Sequence, residues 1–591
     1  MPRAAALRSA VRSLLLPLLG IAAVTGGGAA RGQAQDEEEV RRHGIFVDTV
    51  EVSLITLEIF ASREGEPVAD LGAEEFRVHD DGRPVEITHF TRIDQQRPAA
   101  PSALSDSLSD RPIAAAAATD RRDAATVILL VDQLFVSPTS RKRVFDATAS
   151  RLGALIDGGA RVMVVSKTRE ISVEQELTSN PELVRMALDR LSQTAPPGYA
   201  SEISTMVDLW NLTPDAAESR QTGPGQPEPG LTTTELDAQS AYQDARGLSL
   251  RIHADVAASL GTLDRFLDSL AGVPGRKALV YVADRLPLHP AELLWRIWWE
   301  KYGFEHGSKF GVTVTGPAEL DLSSSLEALI SDANSSRVAF YPIGTDAGPN
   351  LASAASRGLT TPTRSVARTT ESVAGDGLLW LSRRSGGRAA VRSGNLDALF
   401  DGLERDLASY YSISYVSPHD GDGESHRVEV RVARPGVELR YPTEYRAKSA
   451  DQRTTDRTLS ALTLGVEDNA LDVRVSVGKS RKRGALYTTP LEIKVPMANL
   501  VLLPDAASHR GKLSIQLIAR DSKGHFSAPV LVRLPFEVRN SDVARALSQT
   551  VDYEAEMTLD GGSHTIAVGV HDDLGYSAST VKVELDVGGS R

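Results

Sequence analysis

The sequence predicts an α/β protein whose largest domain is built on a doubly wound, mostly parallel sheet. The apolar run at 127–131 lacks polar alternation, which indicates a strand buried on both faces. Similar runs at 161–165, 278–283 and 338–343 alternate with segments of helical spacing, as expected for repeated strand–helix units. A further strand at 411–416 is predicted to close this sheet.

Two β-rich segments flank the α/β domain. Residues 45–95 alternate apolar and polar side chains around an Asp-Gly turn, which predicts a small β domain. Residues 456–591 contain seven short strands separated by Gly, Asp and Pro, which predicts an immunoglobulin-like β sandwich. The α/β domain then covers 124–446 and ends in a β pair, and the Pro- and Ala-rich segment 96–123 is a linker.

Composition limits the classes of function. The 591-residue chain has a formal net charge of −13, which argues against nucleic acid and anionic membranes as partners. It has no cysteine, which excludes disulfides, thiolate metal sites and a Cys nucleophile. Three arginines, a short apolar core at 14–24 and small residues at 32–34 predict a signal peptide over 1–34. We therefore expect an exported protein, periplasmic or extracellular, without a transmembrane segment.

Two carboxylates follow buried strands. Asp132 ends the first apolar run, and Asp284 follows the run at 278–283. Open α/β sheets bind ligands at the carboxyl edge of their strands, so these side chains are candidates for a metal site. Carboxylate oxygens suit Mg²⁺. Loop amides or helix N-termini could satisfy the same carboxylates without a metal, and that interpretation is the alternative.

Five stretches occur in a distinctive order between about 45 and 446. They are Glu66–Leu71 with 75–78, the strand that ends at Asp132, Gly275–Tyr281, Ser336–Ile343, and the segment from Ser385 to Val430. In these stretches and their order, the chain resembles the von Willebrand factor A-related proteins that are abundant in Acidobacteria and similar bacteria. The resemblance implies a von Willebrand A-like fold with a binding role, and it implies no particular reaction.

The same resemblance implies a divalent-cation site, because related domains commonly bind a metal through Asp-x-Ser-x-Ser and a later Asp. Asp132 and Asp284 match the two aspartates, but Leu134 and Val136 stand where the two hydroxyls would be. The motif is degenerate, so we expect either no cofactor or Mg²⁺ at these two aspartates. The literal match at 321–325 directly precedes a helical segment, and it is interpreted as a helix N-terminus.

Two insertions are predicted in the α/β domain, at 195–245 and 285–320. The second insertion carries four aromatic residues on one helical face, Trp295, Trp298, Trp299 and Tyr302. This stripe either packs on its own domain or forms a partner-binding surface, since aromatic residues are enriched at binding hot spots. The basic run at 478–483 is interpreted as a solvated loop between strands.

Function is predicted from these features taken together. No motif supplies a nucleophile, a base and an orienting group, so we expect no enzymatic activity. The sequence predicts an exported protein-binding protein, for adhesion or interaction, that uses the edge of the central sheet and its insertions. The alternative is a structural or assembly component of a cell-envelope complex, with the sandwich supplying the contacts.

Overall fold

The computed structural model describes residues 53–94, 125–136, 138–194, 233–313, 316–344, 375–391, 395–419, 421–575 and 577–588. The predicted signal peptide at 1–34 and the predicted linker at 96–123 lie outside these residues, as does the part 195–232 of the first predicted insertion. None of the helices within the described ranges combines the length and the apolar character needed to cross a membrane.

The first two-thirds of the described chain contain fourteen strands and eight helices. The first five strands are β1 (Leu54–Arg63), β2 (Glu66–Pro67), β3 (Phe76–Asp80), β4 (Arg83–Val85) and β5 (Ile87–Asp94). A mixed series follows, namely β6 (Thr126–Asp132), α1 (Pro138–Asp157), β7 (Arg161–Lys167), β8 (Ile171–Thr178), α2 (Pro181–Gln193), α3 (Thr233–Ser269), β9 (Lys277–Val282), α4 (Glu292–Trp298), α5 (Phe304–Phe310), α6 (Ser323–Ser335), β10 (Val338–Ile343), α7 (375–384) and α8 (Leu396–Ala408). Four strands close this part, β11 (Ser409–Val416), β12 (Ser425–Val432), β13 (Glu438–Arg440) and β14 (Glu444–Arg446).

The last third is mainly strand. It begins with α9 (Ala450–Leu464) and continues through β15 (Asp468–Asn469), β16 (Arg474–Val477), β17 (Arg481–Arg483), β18 (Leu486–Pro496), β19 (Leu503–Pro504), β20 (Ser508–Asp521), β21 (Val530–Arg539), α10 (Val543–Ala546), β22 (Thr550–Leu559), β23 (Gly562–Asp572) and β24 (Ala578–Val587). These strands form two antiparallel sheets that share one apolar core.

One mixed sheet lies at the centre of the chain, with the strand order β10-β9-β6-β7-β8. Strands β10, β9, β6 and β7 are parallel, and β8 pairs with β7 in the antiparallel direction. Helices cover both faces, since Val127 and Leu129 pack with α1, α2 and α8, while Ile128 and Leu130 pack with α3 and α6. Burial on both faces explains why the run at 127–131 shows no polar alternation.

The first five strands share sheets with the strands that follow α8. Strand β11 lies between β1 and β5, and β12 lies between β3 and β14, all in antiparallel pairing. Phe76, Tyr411 and Val428 belong to the apolar core between these two sheets. The predicted segments 45–95 and 124–446 are therefore joined by common sheets and a common core.

The predicted fold class, an α/β protein with a doubly wound, mostly parallel, von Willebrand A-like sheet, is wrong for this chain. Four of the five sheets in the described residues are entirely antiparallel, and the fifth is mixed. The strand at 411–416 was expected to close the parallel sheet, yet it lies between β1 and β5. The physical reason is that an apolar run reports burial, and burial does not specify the direction or the identity of the neighbouring strands.

A buried ion cluster connects the sandwich to the rest of the chain. Helix α9 packs on β20, β23 and β24 of the sandwich and also contacts α3. Directly before α9, Lys448 Nζ lies 2.7 Å from Asp268, 2.8 Å from Asp456 and 3.7 Å from Asp332. Burial alone would lower the pKa of Lys448, but these three carboxylates outweigh it and raise the pKa.

Asp264, whose carboxylate is affected by the charges of this cluster, should make stability depend on pH. Burial, with the negative charges of Asp332 and Asp268, raises the pKa of Asp264 from 3.8 to about 6. The folded state therefore holds a proton that the unfolded state releases between about pH 4 and 6, so this stabilisation is lost as the pH rises through 6. At pH 7, Asp264→Asn should raise the unfolding free energy by up to about 1 kcal/mol, a figure reduced because the side chain is partly exposed. At pH 4 it should leave the unfolding free energy unchanged, because Asp264 is then protonated in the wild type as well.

Urea denaturation at pH 4, 5.5 and 7 measures this difference. Asp255→Asn, on an exposed position of the same helix, is the matched control and should follow the wild type at every pH. An Asp264→Asn gain that is the same at pH 4 and pH 7 would contradict the assignment to the ionised carboxylate.

Candidate metal centre

The predicted metal ligand Asp132 is fully buried and bound by side chains of the protein. Its Oδ2 atom accepts hydrogen bonds from Lys167 Nζ at 2.8 Å and from the Tyr281 hydroxyl at 2.6 Å, and its Oδ1 atom accepts one from the backbone N–H of Leu134 at 3.1 Å. The Lys167 ammonium also donates to Ser259. A fixed positive charge thus lies where a divalent cation would be needed.

The second predicted ligand, Asp284, does not complete a metal site with Asp132. Asp284 is partly exposed, and its backbone N–H donates to the Phe135 carbonyl at 2.8 Å. Val136 is buried and Leu134 is partly buried, so hydrocarbon occupies the two motif positions. Within the described ranges, neither aspartate belongs to a group of three or more acidic or histidine side chains at metal-ligand spacing.

The aromatic stripe lies inside the protein rather than on a partner-binding surface. Its members are buried or partly buried, with exposures of 0% for Trp295, 1% for Trp298 and 7% for Tyr302, and Trp299 between buried and exposed. The Trp298 ring lies 6.1 Å from Tyr242 of α3 and 5.8 Å from Phe310 of α5, measured between ring centroids. The long helix α3 supplies the apolar face that buries the stripe, so the surface interpretation of these side chains is corrected.

A different group of side chains converges at one end of two sheets, the one that contains β3 and β12 and the one that contains β11. Asp80 ends β3, Asp81 follows it in the turn to β4, His419 follows β11 and His426 lies in β12. Their ligand atoms all lie within 4.8 Å of one another. Asp81 and Gly82 have φ values of 46° and 76°, the left-handed conformation that an Asp-Gly hairpin turn adopts.

Two of the distances between these ligand atoms are close to those in a tetrahedral metal site. His419 Nε2 lies 3.3 Å from Asp80 Oδ1 and 3.5 Å from Asp81 Oδ2, and His426 Nδ1 lies 2.9 Å from the same Asp81 oxygen. Ligand atoms about 2.0–2.1 Å from Zn²⁺ in a tetrahedron lie about 3.3–3.4 Å apart. The two imidazole rings stack with centroids 3.4 Å apart, and the distances above place one nitrogen of each ring next to a carboxylate oxygen.

Each carboxylate is held by its other oxygen. Asp80 Oδ2 accepts hydrogen bonds from the hydroxyls of Tyr415 at 2.9 Å and Tyr445 at 2.7 Å. Asp81 Oδ1 accepts the backbone N–H of Arg427 at 2.9 Å. The remaining oxygens, Asp80 Oδ1 and Asp81 Oδ2, face the histidines. Partners of this kind orient the ligands in metal sites.

A third carboxylate holds one histidine from the opposite side. Both oxygens of Asp422 lie 3.1 Å from His426 Nε2, which leaves Nδ1 directed at Asp81. Burial alone would lower the pKa of His426, but hydrogen bonds with Asp81 and Asp422 outweigh it and raise the pKa. This carboxylate–histidine arrangement is the one that fixes the tautomer of metal-bound imidazoles.

One oxygen of Asp80 accepts no hydrogen bond. The residue is fully buried, and its Oδ1 atom accepts no hydrogen bond. The nearest facing atom, His419 Nε2, is itself buried without a hydrogen-bond partner. A buried carboxylate oxygen is costly unless it is paired, and a cation would pair both atoms at once.

The donor set determines the class of ion. Two imidazole nitrogens with two carboxylate oxygens suit Zn²⁺ and the other late first-row divalent ions, whereas Mg²⁺ and Ca²⁺ prefer oxygen alone. Four protein ligands also complete a tetrahedral site, as in structural zinc sites. The sequence did not predict this centre, because Asp81 and His426 are 345 residues apart and are brought together by the pairing of β3 with β12.

No protein-family model and no curated protein matches the chain. Similar solved structures include the conserved hypothetical protein BatB from Bacteroides thetaiotaomicron, at 11% identity over 48% of this chain and 97% of that chain, with a TM-score of 0.18. The structure of three N-terminal domains of the type V pili tip protein Mfa5 from Porphyromonas gingivalis is 9% identical over 90% of this chain and 77% of that chain, with a TM-score of 0.20. The β-glucuronidase from Bacteroides uniformis is 7% identical over 32% of this chain and 20% of that chain, with a TM-score of 0.14. Scores this low carry no argument about fold or function.

Proposed function

We propose that this protein binds one divalent transition-metal ion, with Zn²⁺ as the best fit, through Asp80, Asp81, His419 and His426. The observation that carries the proposal is the fully buried Asp80 Oδ1 atom, which accepts no hydrogen bond and lies 3.3 Å from His419 Nε2, a buried nitrogen that also makes no hydrogen bond. A divalent ion would neutralise the two carboxylates and leave both imidazoles neutral, which is the protonation state that metal ligands require.

The role of the ion is to fasten distant parts of the chain. Two of its proposed ligands, Asp81 and His426, are separated by 345 residues. In a chain without cysteine, a metal can supply the cross-link that a disulfide supplies elsewhere. Four protein ligands leave no open position for a substrate, and this supports our proposal of an exported protein that acts by binding a partner and performs no catalysis.

Zn²⁺ should raise the melting temperature of the full-length chain after treatment with a chelator. The ion binds the folded state and gains little from the unfolded state, so free Zn²⁺ at 100 times its dissociation constant should add about 2.7 kcal/mol of stability. Mg²⁺ at the same concentration should produce no comparable rise, because two of the four donors are nitrogens. Differential scanning calorimetry measures both effects, and equilibrium dialysis should find one Zn²⁺ ion per chain.

Two variants make this test specific. Asp80→Asn should abolish the rise, while its amide oxygen still accepts the hydroxyls of Tyr415 and Tyr445 and so preserves the local fold. Glu429→Gln changes an exposed carboxylate on the same strand as His426, and it should keep the full rise. A rise of equal size in wild type and Asp80→Asn would refute the assignment of the ion to this centre.

A further inference from the structure

One edge of the C-terminal sandwich is open. Strands β16 and β17 both pair with one side of β18, and β22 pairs with its other side. Within the described residues, no strand pairs with the outer side of β17. The outer backbone N–H and C=O groups of such an edge are available to an added strand.

Positive charge is concentrated along this edge. Although the chain has a net charge of −13, the hairpin carries Lys479, Arg481, Lys482 and Arg483, and all four side chains are exposed. No carboxylate of the described residues forms an ion pair with any of these four cations. In contrast, Arg474 in the preceding strand lies 2.7 Å from Asp472.

The strand geometry places these cations on defined faces of the edge. Arg481 and Arg483 are two residues apart in a strand, so their side chains lie on one face and Lys482 lies on the other. Leu486, which pairs with Arg483 across the hairpin, is 40% exposed and offers an apolar contact beside the cations. Positive charge on an edge strand opposes pairing with neutral or basic strands, and it favours a strand whose alternate residues are acidic.

We propose that the outer edge of β17 binds an extended acidic segment of a partner protein, which adds to the sheet as a further strand. Its carboxylates would lie against Arg481 and Arg483, and backbone hydrogen bonds to the edge would set its register. This inference goes beyond metal binding and does not require an occupied metal centre, because the edge lies in a different sheet and a different core.

A synthetic ten-residue peptide that alternates glutamate and valine is the probe, measured by fluorescence anisotropy against the full-length chain. The wild type should bind it, and the triple variant Arg481→Glu, Lys482→Glu, Arg483→Glu should bind at least about tenfold more weakly, since each charge pair across strands is replaced by repulsion. A second peptide with the same side chains, but N-methylated at two adjacent central residues, should also bind at least about tenfold more weakly, because donors on both of its edges are lost.

A charge-reversal variant at a different place on the sandwich is the control for the peptide measurements. The variant Lys523→Glu, Arg539→Glu, Arg545→Glu makes the same change of charge elsewhere on the sandwich, and it should keep wild-type affinity. Equal affinity for both peptides would overturn strand addition in favour of simple charge attraction. Tighter binding to phosphatidylglycerol vesicles than to the peptide would overturn the protein partner. Asp80→Asn, once circular dichroism shows that it is folded, should bind the peptide like the wild type.

Discussion

Replacing Lys167 with methionine should lower the unfolding free energy by about 3–5 kcal/mol, because it removes one partner of a buried ion pair. The side chains of Lys167 and Asp132 are 1% and 0% exposed, and the ammonium lies 2.8 Å from the carboxylate. Methionine keeps the length and most of the volume of lysine, so the loss reports the unpaired Asp132 charge rather than a cavity. Urea denaturation at pH 7 measures it.

A double variant separates charge from packing at this position. Lys167→Met combined with Asp132→Asn removes both charges, while the amide oxygen can still accept the Tyr281 hydroxyl, so most of the lost stability should return. If the double variant is as unstable as the single one, the Asp132 charge is not the cause. Mg²⁺ should leave the melting temperature of the wild type unchanged, because the ammonium already neutralises this carboxylate.

Trp298→Ala should also cost about 3–5 kcal/mol, the usual loss when a buried tryptophan is truncated to alanine. Its ring packs against Tyr242 and Phe310, and its Nε1 atom donates to the Ala238 carbonyl at 3.3 Å. The expected result is a lower midpoint of urea denaturation with an unchanged slope.

The adjacent helix offers a matched aromatic control. Phe304, six residues further along the chain, is fully exposed, so Phe304→Ala should change the unfolding free energy by less than about 0.5 kcal/mol. If Trp298→Ala lowers the unfolding free energy by no more than Phe304→Ala does, the aromatic stripe is not buried, and its interpretation as an exposed surface would be supported instead.

Local structure was more predictable than the arrangement of the sheets. The run at 127–131 correctly predicted a strand buried on both faces, and Asp321 does accept the N–H of Ser323 at the start of α6, as its N-terminal position indicated. The neighbours of the 411–416 strand were not predictable, because side-chain periodicity records burial and leaves pairing undetermined. Its partners β1 and β5 lie in the segment predicted as a separate domain.

The two carboxylate sites differ in what the sequence could have indicated. Lys167 ends the strand next to β6, two residues after the run at 161–165, so a buried cation near Asp132 had a visible signal. The Asp-Gly turn beside Asp80 was also visible, but such turns are common and need no metal. The histidines that lie next to Asp80 and Asp81 are more than three hundred residues away in the chain, and the pairing of distant strands brings them together. Local sequence patterns do not predict such pairing.

Sharing sheets across such a distance sets the order in which this protein can be completed during synthesis. Strands β1, β3 and β5 leave the ribosome early, whereas Tyr415, one of the two tyrosines that bind Asp80, follows Asp80 by 335 residues. At about 5–20 residues per second, this separation is roughly 20–70 s. During this time β5 has no native partner, and β1 and β3 each lack the late strand that pairs with their other side. Their open edges then need protection from pairing with other chains until the later strands have been made.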